Sequence, residues 1–158
     1  MGIILSGIGV KLARGADLVA RTEADITLEA GIDGDVRGKG GKSRSRQVTI
    51  ISKNQWRDAC SDMGWTPELH SWMLRRAGLC FEGIWFDKSH IGKQARIGKD
   101  VVLEITGETT PCDVMNTIGP GLKDVLSVGM RGGVSCRVLQ GGHISTGDSV
   151  VVGHILSL

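Results

Sequence analysis

Four stretches of this sequence carry residues able to do chemistry. Cys112 follows Pro111 at the end of the run IGKDVVLEITGETTPC, from Ile97 to Cys112. A thiolate is both a soft metal ligand and a nucleophile. Pro111 fixes its own φ and biases Thr110 toward an extended conformation, so the cysteine is expected on a stiff loop at a strand end, where rigid scaffolds tend to carry reactive groups. Free cysteine is also among the most buried residue types and behaves as a small hydrophobe, so spacing alone leaves both readings open. The second stretch is RGKGGKSRSR, Arg37 to Arg46, with five basic residues, three glycines and no acid. Glycines let backbone amides turn toward an anion while Lys42, Arg44 and Arg46 neutralise it; a solvated loop is the competing reading, and the strand context of a P-loop is lacking. The third is the pair Arg75 and Arg76 at a helix-to-strand junction, fitted either to bind an anion or to offset a helix dipole. The fourth is the turn at Arg131, Gly132 and Gly133.

The elements that must position these groups read as mainly β with a helical insertion. Ile3 to Val10 predicts a first strand, and a short one follows near Ile26 and Leu28. Gln47 to Ile51 is the most strand-like pentapeptide, with four consecutive β-branched residues. Ser52 and Gln55 then form a potential capping box, Trp56, Ala59, Cys60 and Met63 share one helical face, and Gly64 supplies a stop. Thr66 and Pro67 predict a second, shorter helix with Leu69, Trp72 and Met73 on its apolar stripe. A strand through Leu79 to Phe81 precedes a loop from Phe86 to Lys93. Val101, Leu103 and Ile105 alternate with Val102, Glu104 and Thr106, and Val134, Cys136 and Val138 with Ser135, Arg137 and Leu139, as expected of strands with one buried face. Leu122, Val125 and Leu126 form a short helical pattern, and Val150 to Val152 a terminal strand. About seven or eight short strands around a central helical insertion predict a closed or nearly closed β-barrel flanked by short helices.

Composition narrows the function classes. At 158 residues the chain is expected to be one domain spanning 1–158, of a size that buries roughly two-thirds of its unfolded surface. A net charge of +2 with 23% charged residues argues against a disordered tail and against a dedicated polyanion binder. Twenty-four glycines, three prolines, two phenylalanines and no tyrosine fit a turn-rich β fold and leave few aromatics for stacking on nucleic acid. The four cysteines, at 60, 80, 112 and 136, show no Cys-x-x-Cys pair, which argues against a structural zinc site. No run approaches membrane length and no signal peptide is evident, so reduced thiols and a cytoplasmic location are expected.

The ordered blocks GxxGD (Gly31 to Asp35), SRQVTII (Ser45 to Ile51), LRRAGL (Leu74 to Leu79), VVLEITGETTPC (Val101 to Cys112), RGGVSCRVLQGG (Arg131 to Gly142) and IxxGD (Ile144 to Asp148) resemble the MOSC domain family. The family takes its name from the C-terminal domain of molybdenum cofactor sulfurases, and the similarity is to its small stand-alone bacterial members. The resemblance implies a MOSC-type β-barrel, a site for the molybdenum cofactor (molybdopterin), and a functional cysteine at Cys112 that ligates molybdenum or carries sulfur. It implies a molybdenum-dependent oxidoreductase, reducing N-hydroxylated compounds by analogy, or a sulfur carrier to the cofactor. Cofactor-binding cations would come from Arg46, Arg75, Arg76 and Arg131, with Lys42 and Arg44 in support; Arg46 and Arg76 rank highest because they fall inside family blocks. The chain departs from the pattern at Gly78, where related sequences usually carry asparagine, and after Asp35, where Val36 and Arg37 replace a frequent histidine. The resemblance does not extend to the pyridoxal phosphate domain of full sulfurases, so that cofactor is expected on a separate sulfurase partner, and any sulfur or electron donor is expected to be a separate protein. The alternative function is a non-catalytic anion- or nucleotide-binding β-barrel gripping its ligand with the basic loop 37–46. A thiol hydrolase pairing Cys112 with His143 or His90 is a third possibility.

Overall fold

The computed structural model describes residues 2–38 and 44–156; Lys42 lies outside the described residues. In chain order the strands are β1 (Ile3–Val10), β2 (Val19–Arg21), β3 (Glu23–Thr27), β4 (Gly31–Ile32), β5 (Val48–Ser52), β6 (Leu79–Glu82), β7 (Gln94–Ile97), β8 (Val101–Glu108), β9 (Val134–Gln140), β10 (Gly142–Ser145) and β11 (Ser149–Gly153). The helices are α1 (Lys53–Met63), α2 (Met115–Ile118) and α3 (Leu122–Ser127), supplemented by short 3₁₀ turns. Strand β1 pairs with both β6 and β11, so the order β1-β11-β7-β8-β9-β5-β6 closes on itself as a seven-stranded barrel. Closure removes the exposed strand edges that an open sheet would have to protect. Strand β2 extends the sheet outside β1, and β10, β3 and β4 form a separate small sheet.

Two departures from simple up-and-down order build the functional end. Strands β5 and β6 are parallel, unlike every other pair in the barrel. Parallel neighbours require a crossover, and Lys53 to Gly78 supplies it through α1 and the 3₁₀ turns Pro67–Leu69 and Trp72–Arg75. Strands β8 and β9 are antiparallel, but instead of a tight hairpin a long excursion joins them, carrying Thr109, Cys112, α2 and α3. The register of β8 against β9 shifts between Ile105 and Gly107. A bulge of this kind twists the strand and redirects the chain beyond it, here the segment leading to Thr109.

The barrel interior is apolar, with Leu5, Ile50, Leu79, Phe81, Ile97, Leu103, Ile105 and Val134 buried together. The two excursions pack on one another through a second core of Ile51, Trp56, Ala59, Cys60, Ala77, Cys80, Met115, Leu122 and Leu126. Fully burying each large aliphatic side chain is worth about 1.5–3 kcal/mol, so this second core holds the crossover and the β8–β9 excursion in fixed relation. The buried face of α1 is the one its spacing predicts, and Gly64 ends it in the left-handed conformation at φ 71°. Ser52 caps the helix through a bond from the Gln55 amide, but Gln55 does not complete the capping box. Its side chain instead donates to the Phe86 and Gly129 carbonyls and accepts from the Phe86 amide, satisfying backbone groups of two other segments. The second helix expected after Pro67 is replaced by the two 3₁₀ turns, and Leu69 is 78% exposed rather than part of a stripe.

The turn at Gly132 and Gly133 is sterically obligatory. A Cβ on Gly133 would stand 2.3 Å from the Ile50 carbonyl oxygen at φ +97°, and one on Gly132 would stand 2.4 Å from the Thr109 oxygen. Gly133→Ala should therefore cost about 2–4 kcal/mol of stability from combined overlap and left-handed strain. Gly92→Ala, at φ +91° but in open space, should cost about 1 kcal/mol from the strain alone. Urea denaturation of the two variants checks this; equal costs would show that the backbone around Gly133 yields freely.

Candidate functional site

Arg75 is the central group of a cleft at the end of the barrel. It closes the second 3₁₀ turn, is 8% exposed, and reaches from the crossover into the β8–β9 excursion. Its Nε–H donates to the Gly132 carbonyl at 3.2 Å and its Nη2 to the Thr109 carbonyl at 3.1 Å. The Thr109 amide in turn donates to the Gly133 carbonyl at 2.8 Å, so both ends of the excursion are tied together under the guanidinium. No carboxylate of the described residues pairs with Arg75. Burial lowers the Arg75 pKa, Cys112 opposes that change and Arg46 adds to it, which places both groups within its electrostatic reach. Arginine nevertheless stays protonated in proteins. A buried, permanent positive charge thus faces a cleft of about 250 Å³.

That cleft is lined by Asp35, Arg37, Arg46, Arg75, Arg76 and Thr109 among its polar residues, with Ile32, Val48 and Ala77 as apolar wall. Of its acidic and basic groups only Asp35 and Arg37 neutralise each other: Arg37 Nε donates to Asp35 Oδ1 at 3.0 Å and Nη2 to Oδ2 at 2.8 Å. Burial alone would raise the Asp35 pKa, but the Arg37 side chain and the Arg37 and Lys11 amides reverse this and hold it below the ordinary carboxylate value. Arg37 also donates through Nη1 to the Arg76 carbonyl. This bond steadies Arg76, which adopts a left-handed φ of 68° that side-chain-bearing residues normally avoid. The turn sends Arg75 inward and leaves Arg76 exposed on the cleft. The guanidiniums of Arg46 and Arg76 make no hydrogen bond or ion pair with the described residues.

Thr109 supplies a group that the sequence reading did not single out. The residue is 8% exposed, and its Oγ1 is buried with no hydrogen-bond partner among the described residues. An unmade bond of this kind is costly to the fold. The only prior signal was its place in the TTPC run.

The remaining candidates separate. Cys112 is exposed and is not among the residues that line the cleft; it lies three positions beyond Thr109 along the same loop, within electrostatic reach of Arg75. Cys60, Cys80 and Cys136 are buried; burial pushes the Cys80 thiol up to about 12 and raises the other two. Cys112 is therefore the accessible thiol of the four. Arg131 turns away from the cleft, pairing with Asp62 of α1 at 2.6 Å and donating to the Val125 carbonyl. Arg44 donates to the Leu28 carbonyl at 3.3 Å. His143 is bonded to Asp25 at 2.7 Å, and His90 accepts from the Asp87 amide within its own turn. Gly78 lines the cleft and donates its amide to Thr49.

Replacing the unpartnered hydroxyl by a methyl group of the same shape should stabilise the free protein. Thr109→Val is expected to gain about 1 kcal/mol or more in thermal denaturation; a loss of stability would show that Oγ1 is already satisfied. The Asp35 shift has a pH consequence. Its folded pKa lies below the ordinary value of 3.8, so its stabilising contribution is present above 3.8 and is lost as pH falls through the folded value. The stability gap between wild type and Asp35→Asn should be full near neutrality and close in acid, and a gap independent of pH would sink the assignment.

Comparison with known proteins agrees with this architecture. The YUAD protein from Bacillus subtilis superposes with a TM-score of 0.75 at 19% identity, over 99% of this chain and 98% of that one. YiiM from Geobacillus stearothermophilus gives 0.71 at 14% identity, over 95% and 74% of the two chains. YiiM from Escherichia coli gives 0.67 at 16%, over 99% and 71%. At these identities the likeness speaks to the fold. No curated protein matches the chain in sequence. The family model of the MOSC domain matches residues 34–151, a span that contains the Asp35–Arg37 pair, the arginine cleft and Cys112. With the closed mixed barrel and most of its length accounted for, the chain belongs to the MOSC domain family.

Proposed function

We propose that this protein is associated with the molybdenum cofactor, whose phosphate the arginine cleft holds while the exposed Cys112 serves as the functional thiol. The observation that carries this is the buried Arg75 charge without a carboxylate partner among the described residues, flanked by the guanidiniums of Arg46 and Arg76, which no described residue pairs. Buried charges are normally paired, and planar guanidiniums are suited to phosphate oxygens. The residues present fit such a group. The cleft has room for a phosphate, and a neighbouring cavity of about 440 Å³, walled by Leu18, Met73, Leu74 and Ile118, shares Arg76 with it. That cavity offers space and apolar surface to an organic body attached to the phosphate.

When bound, the cofactor supplies a thiophilic metal and its redox chemistry. The chain's own share is narrower. Among the described residues no cluster of three or more His, Cys, Asp or Glu side chains converges to hold a metal ion, so a metal here would meet the protein through one thiolate. Arg75 lies within electrostatic reach of Cys112. Two roles are open to Cys112: metal ligand in an oxidoreductase, or carrier of sulfur to the cofactor, with any separate donor protein approaching the exposed thiol.

Purification from a host that makes the cofactor, followed by metal analysis and intact-mass spectrometry, tests the proposal. Stoichiometric molybdenum that disappears in Cys112→Ser is expected for the ligand role, and a sulfur adduct on Cys112 without molybdenum for the carrier role. Phosphate binding with neither signal, indifferent to Cys112→Ser, would replace the proposal by a non-catalytic anion-binding barrel.

A further inference from the structure

Two cavities meet at Arg76. It is the one residue common to the walls of the anion cleft, of about 250 Å³, and of the neighbouring cavity of about 440 Å³. Its guanidinium is carried on a backbone at φ 68°, a conformation that side-chain-bearing residues rarely adopt. Both polar groups of that backbone are held. The Arg76 amide donates to the Met73 carbonyl at 2.9 Å, which closes the 3₁₀ turn, and the Arg76 carbonyl accepts from Arg37 Nη1, a residue 39 positions earlier in the chain.

Arg37 reaches this carbonyl from a fixed place. Its Nε and Nη2 meet the two oxygens of Asp35 at 3.0 and 2.8 Å, and its own amide donates to Oδ1 at 2.9 Å. The Lys11 amide donates to Oδ2 at 3.1 Å, and the Lys11 carbonyl accepts from the Val36 amide at 2.8 Å, so the carboxylate is also anchored to the end of β1. One edge of the planar guanidinium is thus spent on Asp35 and the remaining nitrogen on Arg76. We infer that Arg37 is the positioning residue of the anion site: clamped on Asp35, it holds the Arg76 carbonyl and so presents the Arg76 guanidinium where the two cavities meet, without binding the anion itself. The inference rests on the reading of the arginine cleft as a phosphate site, and it names the residue that keeps one of the phosphate-binding arginines in place.

Arg37 also lines the cleft, so the competing role is that of a fourth anion-binding cation. Two observations favour positioning. The Arg37 charge is offset by Asp35, whose side chain is 4% exposed, whereas Arg46 and Arg76 have no described acid partner. Three of the five Arg37 side-chain N–H groups are already donated, and turning them toward an anion would strip a buried carboxylate of its partners. Lysine tells the two roles apart. It keeps the charge, but it offers one nitrogen in place of the three that bridge Asp35 and the Arg76 carbonyl.

The test uses the full chain and inorganic phosphate as the probe, with dissociation constants from isothermal titration calorimetry. Arg76→Gly removes the guanidinium and adopts the left-handed turn without help; it should weaken phosphate binding about tenfold. Arg37→Lys should also weaken it about tenfold in the wild-type background, yet change it by less than about twofold in Arg76→Gly. Unchanged affinity in Arg37→Lys, even with a lowered Tm, would make Arg37 a structural brace. Losses that multiply to about a hundredfold in the double variant would make it an independent anion ligand. Either result overturns the inference and leaves the cleft standing. Asp35→Asn supplies a second route should Arg37→Lys fail to fold. By charge alone it tightens phosphate binding equally in both backgrounds. Loss of the clamp instead makes it weaken binding where Arg76 is present and tighten binding in Arg76→Gly, and equal tightening would overturn the inference. Absence of phosphate binding by the wild type would overturn the inference and the proposed function together.

Discussion

Arg75 is the interaction on which the functional end of this barrel depends. Its guanidinium leaves the crossover between the two parallel strands and bonds the Thr109 and Gly132 carbonyls at the two ends of the β8–β9 excursion. Arg131 to Asp62 and Gln55 to the Gly129 carbonyl also join the two excursions, but Arg75 is the tie that fixes the direction of the backbone carbonyls at Thr109 and Gly132. The close turn at Gly132 and Gly133 exists to admit this contact and the Ile50 backbone behind it. The same side chain that orders the loops also carries a charge that no described carboxylate offsets. Structure and ligand preference therefore share one residue.

The electrostatic arrangement follows from where acids were placed. Asp35 could have neutralised the cleft, but its carboxylate is consumed by Arg37 and by the Lys11 and Arg37 amides. Arg131, by contrast, is neutralised by Asp62 and turned into a strut between the excursion and α1. Arginines of similar appearance in the sequence thus do different work: Arg131 is paired and structural, while Arg46, Arg75 and Arg76 face the cleft without a described acid partner. Close spacing of like charges in so small a volume is unfavourable for the free protein, and an anion relieves it. The unpartnered Thr109 hydroxyl adds to that stored cost.

Much of this was legible in the sequence, and the part that was not has a physical reason. The buried face of α1 and the Gly64 stop are local patterns that appear where spacing places them; the inward residues of β8 and β9 do too, although Val102 and Ser135, expected on the opposite faces, are buried as well. Closure of the barrel was readable as a class, although eleven strands are found among the described residues where seven or eight were expected; β2, β4, β7 and β10, of two to four residues, are too short to show a period. The family blocks pointed to Cys112 and to the arginines. Which arginines face the cleft was not legible, since pairing with Asp62 or with a loop carbonyl is decided by tertiary contacts far apart in the chain. Thr109 escaped for the same reason: a threonine before Thr110-Pro111 looks like loop composition, and only burial without a partner distinguishes it.

Whether Arg75 is an anion receptor or merely a tie between loops is tested most directly by titrating protein carrying isotope-labelled arginine with inorganic phosphate and following the Arg75 Nε–H by NMR. An anion receptor gives a saturable change at Arg75, in step with changes at Arg46 and Arg76 and with a single binding constant. An Arg75 signal that stays fixed, while Arg46 and Arg76 drift linearly with added salt, would contradict that role and leave the guanidinium a purely structural brace.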